Sequence, residues 1–195
     1  VTELELGIRR VTRRLAAYDR AVYRAVAQLS TPALDVPLRR VSDFANFSKP
    51  WFLVSGALAL FGGPTGRRAA VAGLSAIGAA SLVVNQPLKK SGGERGRPDR
   101  SELGVPMRRW VRMPESGSFP SGHSASAVAF AVAVGHVVPR LRTPLRIAAS
   151  VVAFSRVYTG VHYPSDVLVG ATIGAACGRL AGLVATPRPM GKRRR

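Results

Sequence analysis

The chain has a single cysteine, Cys177, set in an apolar run, so no intrachain disulfide can form among its 195 residues. Acidic residues are scarce: ten Asp and Glu stand against twenty-nine Lys and Arg, a formal charge of +19. Such an excess raises nucleic acid as a partner. The basic residues are not interleaved with aromatics, and no nucleic-acid-binding motif is present, so no nucleic acid is expected. Residues 1–20 hold five arginines and no apolar core of suitable length, so no cleavable signal peptide is expected. No internal repeat is evident.

Charge is also missing locally. Residues 50–66 and 69–88 carry none. Residues 116–139 carry only two histidines, and 147–187 only Arg156, His162, Asp166 and Arg179. The basic residues concentrate at 9–49, 89–112 and 188–195, so the mean hydropathy of +0.12 averages greasy spans and arginine-rich connectors. A spanning helix needs about 20 mostly apolar residues. The runs predict helices near 48–64, 68–88, 120–139, 143–159 and 164–186, with a turn at Gly62–Gly66. Leu4, Ile8, Val11, Leu15 and Tyr18 recur at helical spacing among arginines. Residues 1–47 therefore read as one or two amphipathic helices lying on the membrane, or as a hairpin packed on the bundle. The expected fold is all-α: a polytopic membrane bundle of about five helices (48–186), the amphipathic segment 1–47 before it, and a basic, disordered tail at 187–195. The Ala, Arg and Val bias points to a GC-rich bacterium.

Three stretches carry chemistry. Arg156 lies within a predicted span, where a charge costs at least ~2.5 kcal/mol and needs a partner. A phosphate gripped through two oxygens would serve; so would Asp166, or the interface. His162 and Asp166 are four apart, so on a helix they share a face. The carboxylate can then hold Nδ1–H and leave Nε2 free as base or nucleophile. Pro120-Ser121-Gly122-His123 precedes an uncharged stretch and reads as a helix start, with Ser121 as cap and Gly122 allowing close approach to open N–H groups. The long loop 89–119 has eight basic residues against four acidic ones. Lys89, Arg108, Arg109 and Arg112 read as solvated or touching lipid headgroups, and Lys90 and Arg97 as candidates for the site. His136 reads as a packing or interface residue. Trp51 and Trp110 read as interfacial anchors, with Trp110 also able to touch lipid. Five spans place all three stretches on one membrane side.

Together they resemble the type 2 phosphatidic acid phosphatase superfamily of lipid phosphate phosphatases. The family pattern K-x6-R-P, P-S-G-H, S-R-x5-H-x3-D is met at Lys90, Arg97, Pro98, Pro120 to His123, Ser155, Arg156, His162 and Asp166. The resemblance spans roughly residues 50–186. It implies that His162 attacks phosphorus and forms a phosphohistidine, with Asp166 orienting it. His123 would protonate the leaving oxygen and then activate water. Lys90, Arg97, Arg156, Ser121 and Gly122 would bind the phosphate. No metal or other cofactor is implied, because fixed cations can neutralise the transferring group.

The expected partners are the bilayer and a lipid phosphate: a polyprenyl phosphate or diphosphate, phosphatidic acid, phosphatidylglycerol phosphate, or decaprenylphosphoryl-5-phosphoribose of actinobacterial cell-wall synthesis. A vanadium-dependent haloperoxidase shares these motifs but is soluble and larger. A non-enzymatic lipid-binding protein would have no need of both histidines. Many bacterial relatives have a sixth span at the N-terminus, for which residues 1–47 are too charged. Nine basic residues within 1–50 place that end, and the site with it, on the cytoplasmic face of the plasma membrane, against the opposing pull of five in the tail.

Overall fold

The computed structural model describes residues 3–84 and 95–186. Lys90 and the tail 187–195 fall outside them. Among the described residues every regular element is helical: α1 Glu3–Ala27, α2 Pro32–Phe44, α3 Lys49–Phe61, α4 Gly63–Val83, α5 Gly122–Val137, α6 Arg142–Tyr158 and α7 Pro164–Ala185. The all-α expectation holds.

Helix α5 is the axis of the bundle, packed against α4, α6 and α7. It is apolar all round, and a helix of that kind belongs in an interior. Ser124 to Ala127, Ala129 to Ala131 and Ala133 to Gly135 are all buried. Its neighbour α7 meets it through Gly170, Gly174, Gly178 and Gly182. A Cβ on Gly170, Gly174 or Gly178 would fall 2.4, 2.2 or 2.4 Å from the carbonyls of Ser121, Ala125 and Ala129. Backbone therefore meets backbone along a four-residue ladder, the close approach small residues permit between membrane helices. The four-residue spacing is legible in the sequence of α7. Gly182 continues the ladder onto His136, which packs there as expected.

The large apolar residues face outward instead. Phe52, Leu53, Leu60 and Phe61 of α3, Ile147 of α6, and Leu168, Leu180 and Leu183 of α7 are exposed around an interior rich in Ala, Gly and Ser. A surface of this kind suits hydrocarbon, where large side chains gain nothing by turning inward. Among the described residues α7, at 22 residues, is the one helix both long and apolar enough to cross a membrane. Helices α3 and α5, at 13 and 16 residues, are shorter than the ranges read from charge, whereas α6, at 17 residues, has the length expected but begins one residue earlier.

Several local expectations change. The turn before α4 is not five residues long: α4 starts at Gly63, whose φ is +59°, and a Cβ on Gly62 would sit 2.6 Å from the Leu58 carbonyl. Trp51 is no interfacial anchor but is buried against Phe130, with ring centroids 5.3 Å apart. Arg109 is not solvated; its side chain is 1% exposed. Its Nε donates to Asp35 Oδ1 (2.6 Å) and its Nη1 to the carbonyls of Val26 and Ala27 (3.2 and 3.1 Å). A guanidinium thus closes the C-terminal end of α1, where carbonyls lack partners. Arg108 and Tyr158 also donate to Asp35, which is fully buried. Arg112 does remain at the surface. The Asp35 cluster ties α1, α2, the site loop and the end of α6 together. Trp110 Nε1 donates to the Val105 carbonyl at 2.9 Å, and Arg100 stacks on its ring.

Candidate active site

The described parts of all three stretches meet at one end of the bundle. Ser118 N–H donates to the Arg95 carbonyl at 3.1 Å, lacing the site loop to the start of α5. Ser121 N–H donates to the Asp166 carbonyl at 2.9 Å, joining the starts of α5 and α7. Arg97 closes the ring of contacts. Its Nη1 donates to the Val161 carbonyl (2.7 Å) and its Nε to Ser116 O (2.9 Å).

His162 occupies the turn between α6 and α7. That turn needs a glycine at 160: φ is +77°, and a Cβ would lie 2.6 Å from the Tyr23 hydroxyl. The N–H groups of Val161 and His162 then both reach the Arg156 carbonyl, at 3.1 and 3.2 Å. The His162 side chain is 4% exposed. Its Nε2 lies 3.4 Å from Arg97 Nη1. A guanidinium only donates, so Nε2 is the bare nitrogen and Nδ1 carries the proton. Nδ1 faces Asp166 Oδ2 at 3.5 Å, too long for a good hydrogen bond, and is buried without a partner among the described residues. Burial drives the imidazole pKa down to about 4; Asp166 opposes this, while Arg156 and Arg97 add to it. The ring is neutral at pH 7.

Asp166 is fully buried at the third position of α7, and its Oδ2 accepts the Tyr163 N–H at 2.9 Å. Its Oδ1 accepts from Arg95 Nη1 at 2.8 Å. Sequence reading overlooked Arg95, which sits among eight basic loop residues of similar appearance.

Arg156, on the last turn of α6, is 1% exposed. It does not pair with Asp166. Its Nη1 donates to the Ser42 hydroxyl and carbonyl (3.2 Å to the latter), and its Nε has no partner among the described residues. Ser155 beside it donates to the Val152 carbonyl. Ser121 caps α5 with a long bond, its Oγ accepting from Ser124 N–H at 3.4 Å. Gly122 follows. The nearest atom to the place a Cβ would take there is 3.9 Å away, so the first turn of α5 is open at that point. His123 Nε2 lies 2.9 Å from Asn46 Oδ1. Asn46 precedes Phe47 and Ser48, both at positive φ (56° and 58°), a backbone no pattern in the sequence foretold. Lys90, the remaining expected phosphate ligand, lies outside the described residues.

Two openings lie beside these residues. A cleft of about 310 Å³ is lined by Ala16, Arg20, Arg95, Gly96, Arg97 and Tyr163. A larger groove, about 710 Å³, runs between α1 and α7 past Leu15, Val22, Phe119 and Leu168 and reaches Arg95. The groove is apolar along its length and charged at the end nearest Asp166. Among the described residues no three His, Cys, Asp or Glu side chains gather as metal ligands would.

Known proteins resemble this chain in sequence and in fold. The PAP2 superfamily profile matches residues 69–188. The decaprenylphosphoryl-5-phosphoribose phosphatase of Mycobacterium tuberculosis is 34% identical over 171 residues, 86% of this chain and 90% of that one. Among solved structures, the PAP2-type phosphatidylglycerolphosphate phosphatase of Bacillus subtilis superposes with a TM-score of 0.69 at 24% identity, covering 88% of this chain and 86% of that one. LpxE of Aquifex aeolicus gives 0.65 at 24% identity, covering 83% and 92%. The two structures share the fold. The matched profile and the nearly full-length relative go further: the chain belongs to the PAP2 superfamily and is a hydrolase of lipid phosphates.

Proposed function

We propose that this protein is a multi-pass membrane phosphatase that removes the terminal phosphomonoester of a lipid-linked phosphosugar, of the decaprenylphosphoryl-5-phosphoribose type. The observation carrying this is the 34% identity to the mycobacterial enzyme over 171 residues, which reaches well outside the family region 69–188.

In this reading His162 Nε2 attacks phosphorus. Asp166 holds the Nδ1 proton and balances the charge that grows on the ring. Arg97, Arg156 and Lys90, with the Ser121 side chain and the Gly122 N–H, hold the phosphoryl oxygens. His123 gives its proton to the departing sugar oxygen as the P–O bond breaks. It then takes a proton from the water that attacks the phosphohistidine, so the P–N bond breaks, phosphate leaves and both imidazoles return to their starting state. The nearer isoprene units of the lipid lie in the groove between α1 and α7. Helices α3 to α7 form five spans, with α1 and α2 at the surface on the side of the site, and the basic residues of 1–50 hold that side in the cytoplasm.

Phosphate release by the purified protein from a panel of lipids tests this. The panel is decaprenylphosphoryl-5-phosphoribose, a polyprenyl diphosphate, phosphatidic acid and phosphatidylglycerol phosphate, with His162→Ala as the blank. The phosphosugar should turn over fastest. A faster rate on any of the others sinks the substrate assignment, and release by His162→Ala at the parent rate sinks the mechanism.

A further inference from the structure

Helix α1 grips the turn that carries His162 on both flanks. Before the histidine, Tyr23 donates its hydroxyl to the Gly160 carbonyl at 3.1 Å. After it, Asp19 accepts the Ser165 N–H at 2.9 Å and the Ser165 hydroxyl at 2.6 Å. Tyr23 and Asp19 are four residues apart and so share a face of α1. Between Asp19 and Asp166 lies Arg95. Its Nη2 pairs with Asp19, its Nη1 with Asp166 Oδ1 at 2.8 Å and Ser165 Oγ at 2.7 Å, and its guanidinium stacks 4.4 Å from the Tyr163 ring centroid.

From this geometry we infer that Arg95, braced by Asp19 of α1, is a positioning residue for the reaction: it fixes the Asp166 carboxylate and, through it, the His162 ring. The inference rests on His162 being the nucleophile. Asp166 has two oxygens and three neighbours. Oδ2 takes the Tyr163 N–H and faces His162 Nδ1, while Arg95 holds Oδ1, so the backbone bond and the guanidinium together set the rotation of the carboxylate about its Cβ–Cγ axis. A guanidinium fork can hold that oxygen and a second carboxylate at once; an ammonium on a flexible stem cannot do so with the same geometry. The brace also sets charge. Asp19 and Asp166 have side chains 5% and 0% exposed, and Arg95 is the cation between them. The charged groups facing His162 are Arg97 from the loop, Arg156 from α6 and Asp166 from α7. Removing Arg95 leaves two buried carboxylates behind the ring and favours its protonated, non-nucleophilic form.

The test uses the full-length protein in detergent, with kcat and KM measured across pH on the best lipid phosphate for the parent, Arg95→Gln, Arg95→Lys, Asp19→Asn and His162→Ala. Arg95→Gln should lower kcat roughly ten- to hundredfold, the scale of outer partners that orient a functional imidazole, with KM little changed. Its acid limb should move to higher pH by about one unit. Arg95→Lys should return the limb towards the parent position without restoring kcat in full, and Asp19→Asn should shift both quantities in the same direction by less. Should Arg95→Gln fail to fold, Asp19→Asn, which keeps side-chain volume, carries the comparison. A lower melting temperature with an unmoved acid limb makes Arg95 structural only and overturns the inference. A change confined to KM makes it a phosphate ligand and does the same. Either result beside an inactive His162→Ala leaves the nucleophile standing; an active His162→Ala removes the nucleophile and the inference together.

Discussion

In the proposed mechanism His162 is prepared for attack by its surroundings more than by its own chemistry. An ordinary imidazole is half protonated near pH 6.5, whereas burial, with Arg156 and Arg97 adding to it, brings this one to about 4. A ring protonated at Nε2 has no lone pair to offer, so activity is lost as pH falls through the folded value. The sign is fixed: the limb that His162 contributes to the pH profile should lie well to the acid side of the ordinary imidazole value. Replacing Arg97 by Gln removes one of the depressing charges, so the limb should rise while KM also rises. An unmoved limb would mean that Arg97 and His162 do not face one another across 3.4 Å. His123 is open to a different check. If it protonates the leaving oxygen, His123→Ala should lose roughly 10²-fold or more on an alkyl phosphate and much less on p-nitrophenyl phosphate, whose leaving group needs no proton. Equal losses on the two substrates would count against the acid role. His162, Asp166 and His123 could all be found in the sequence because each is a charged or titratable residue in an otherwise uncharged run. Arg95 and Asn46 could not. One is hidden among like residues, and the other is an ordinary polar residue whose position depends on two left-handed backbone steps.

At the scale of elements, the α5–α7 seam decides how precisely the site is built. Ser121 and Asp166 stand at the first turns of these two helices and are joined by one backbone hydrogen bond of 2.9 Å. Any change in the spacing of the helices is felt there. A Cβ on Gly174 would come within 2.2 Å of the Ala125 carbonyl, backbone that has nowhere to move. Gly174→Ala should therefore destabilise the protein in detergent by about 1–3 kcal/mol and lower activity, as read by thermal unfolding and phosphate release. The same change at Gly78, which has open space around it, should do little in either assay. The four-glycine spacing is plain in the sequence of α7. What it packs against was not, since the sequence alone does not say which of four other helices lies opposite.

For the whole molecule, the Asp35 cluster joins the two N-terminal helices to the catalytic end. Burial alone would raise the Asp35 carboxyl, but hydrogen bonds from Tyr158, Arg109 and Arg108 outweigh it and hold the group below its ordinary value. A depressed carboxylate stabilises the fold above its unfolded pKa, and that stabilisation fades as pH falls through the folded one. Asp35→Ala leaves Arg109 buried without its carboxylate and should cost about 3–5 kcal/mol, measured as loss of the folded, monodisperse protein on heating near neutral pH. A parent-like melting temperature would show the cluster to be dispensable. Topology is testable at this scale too. In a Cys177→Ala background, Ser101→Cys should react with a membrane-impermeant maleimide only after cells are lysed, and labelling of intact spheroplasts would put the site on the outer face.

The sequence by itself determined the helical class and offered the candidate residues of the reaction, because both are written in local features: uncharged runs, an arginine set within one of them, and fixed spacings around two histidines. Tertiary structure decided which cations do what. Arg97 and Arg156 face His162, Arg95 stands behind Asp166, and Arg109 closes the end of α1. Four guanidiniums of the same chemistry take these different roles because a charge acts over a few ångströms, and distances between residues 60 or 70 positions apart are set only when the helices pack.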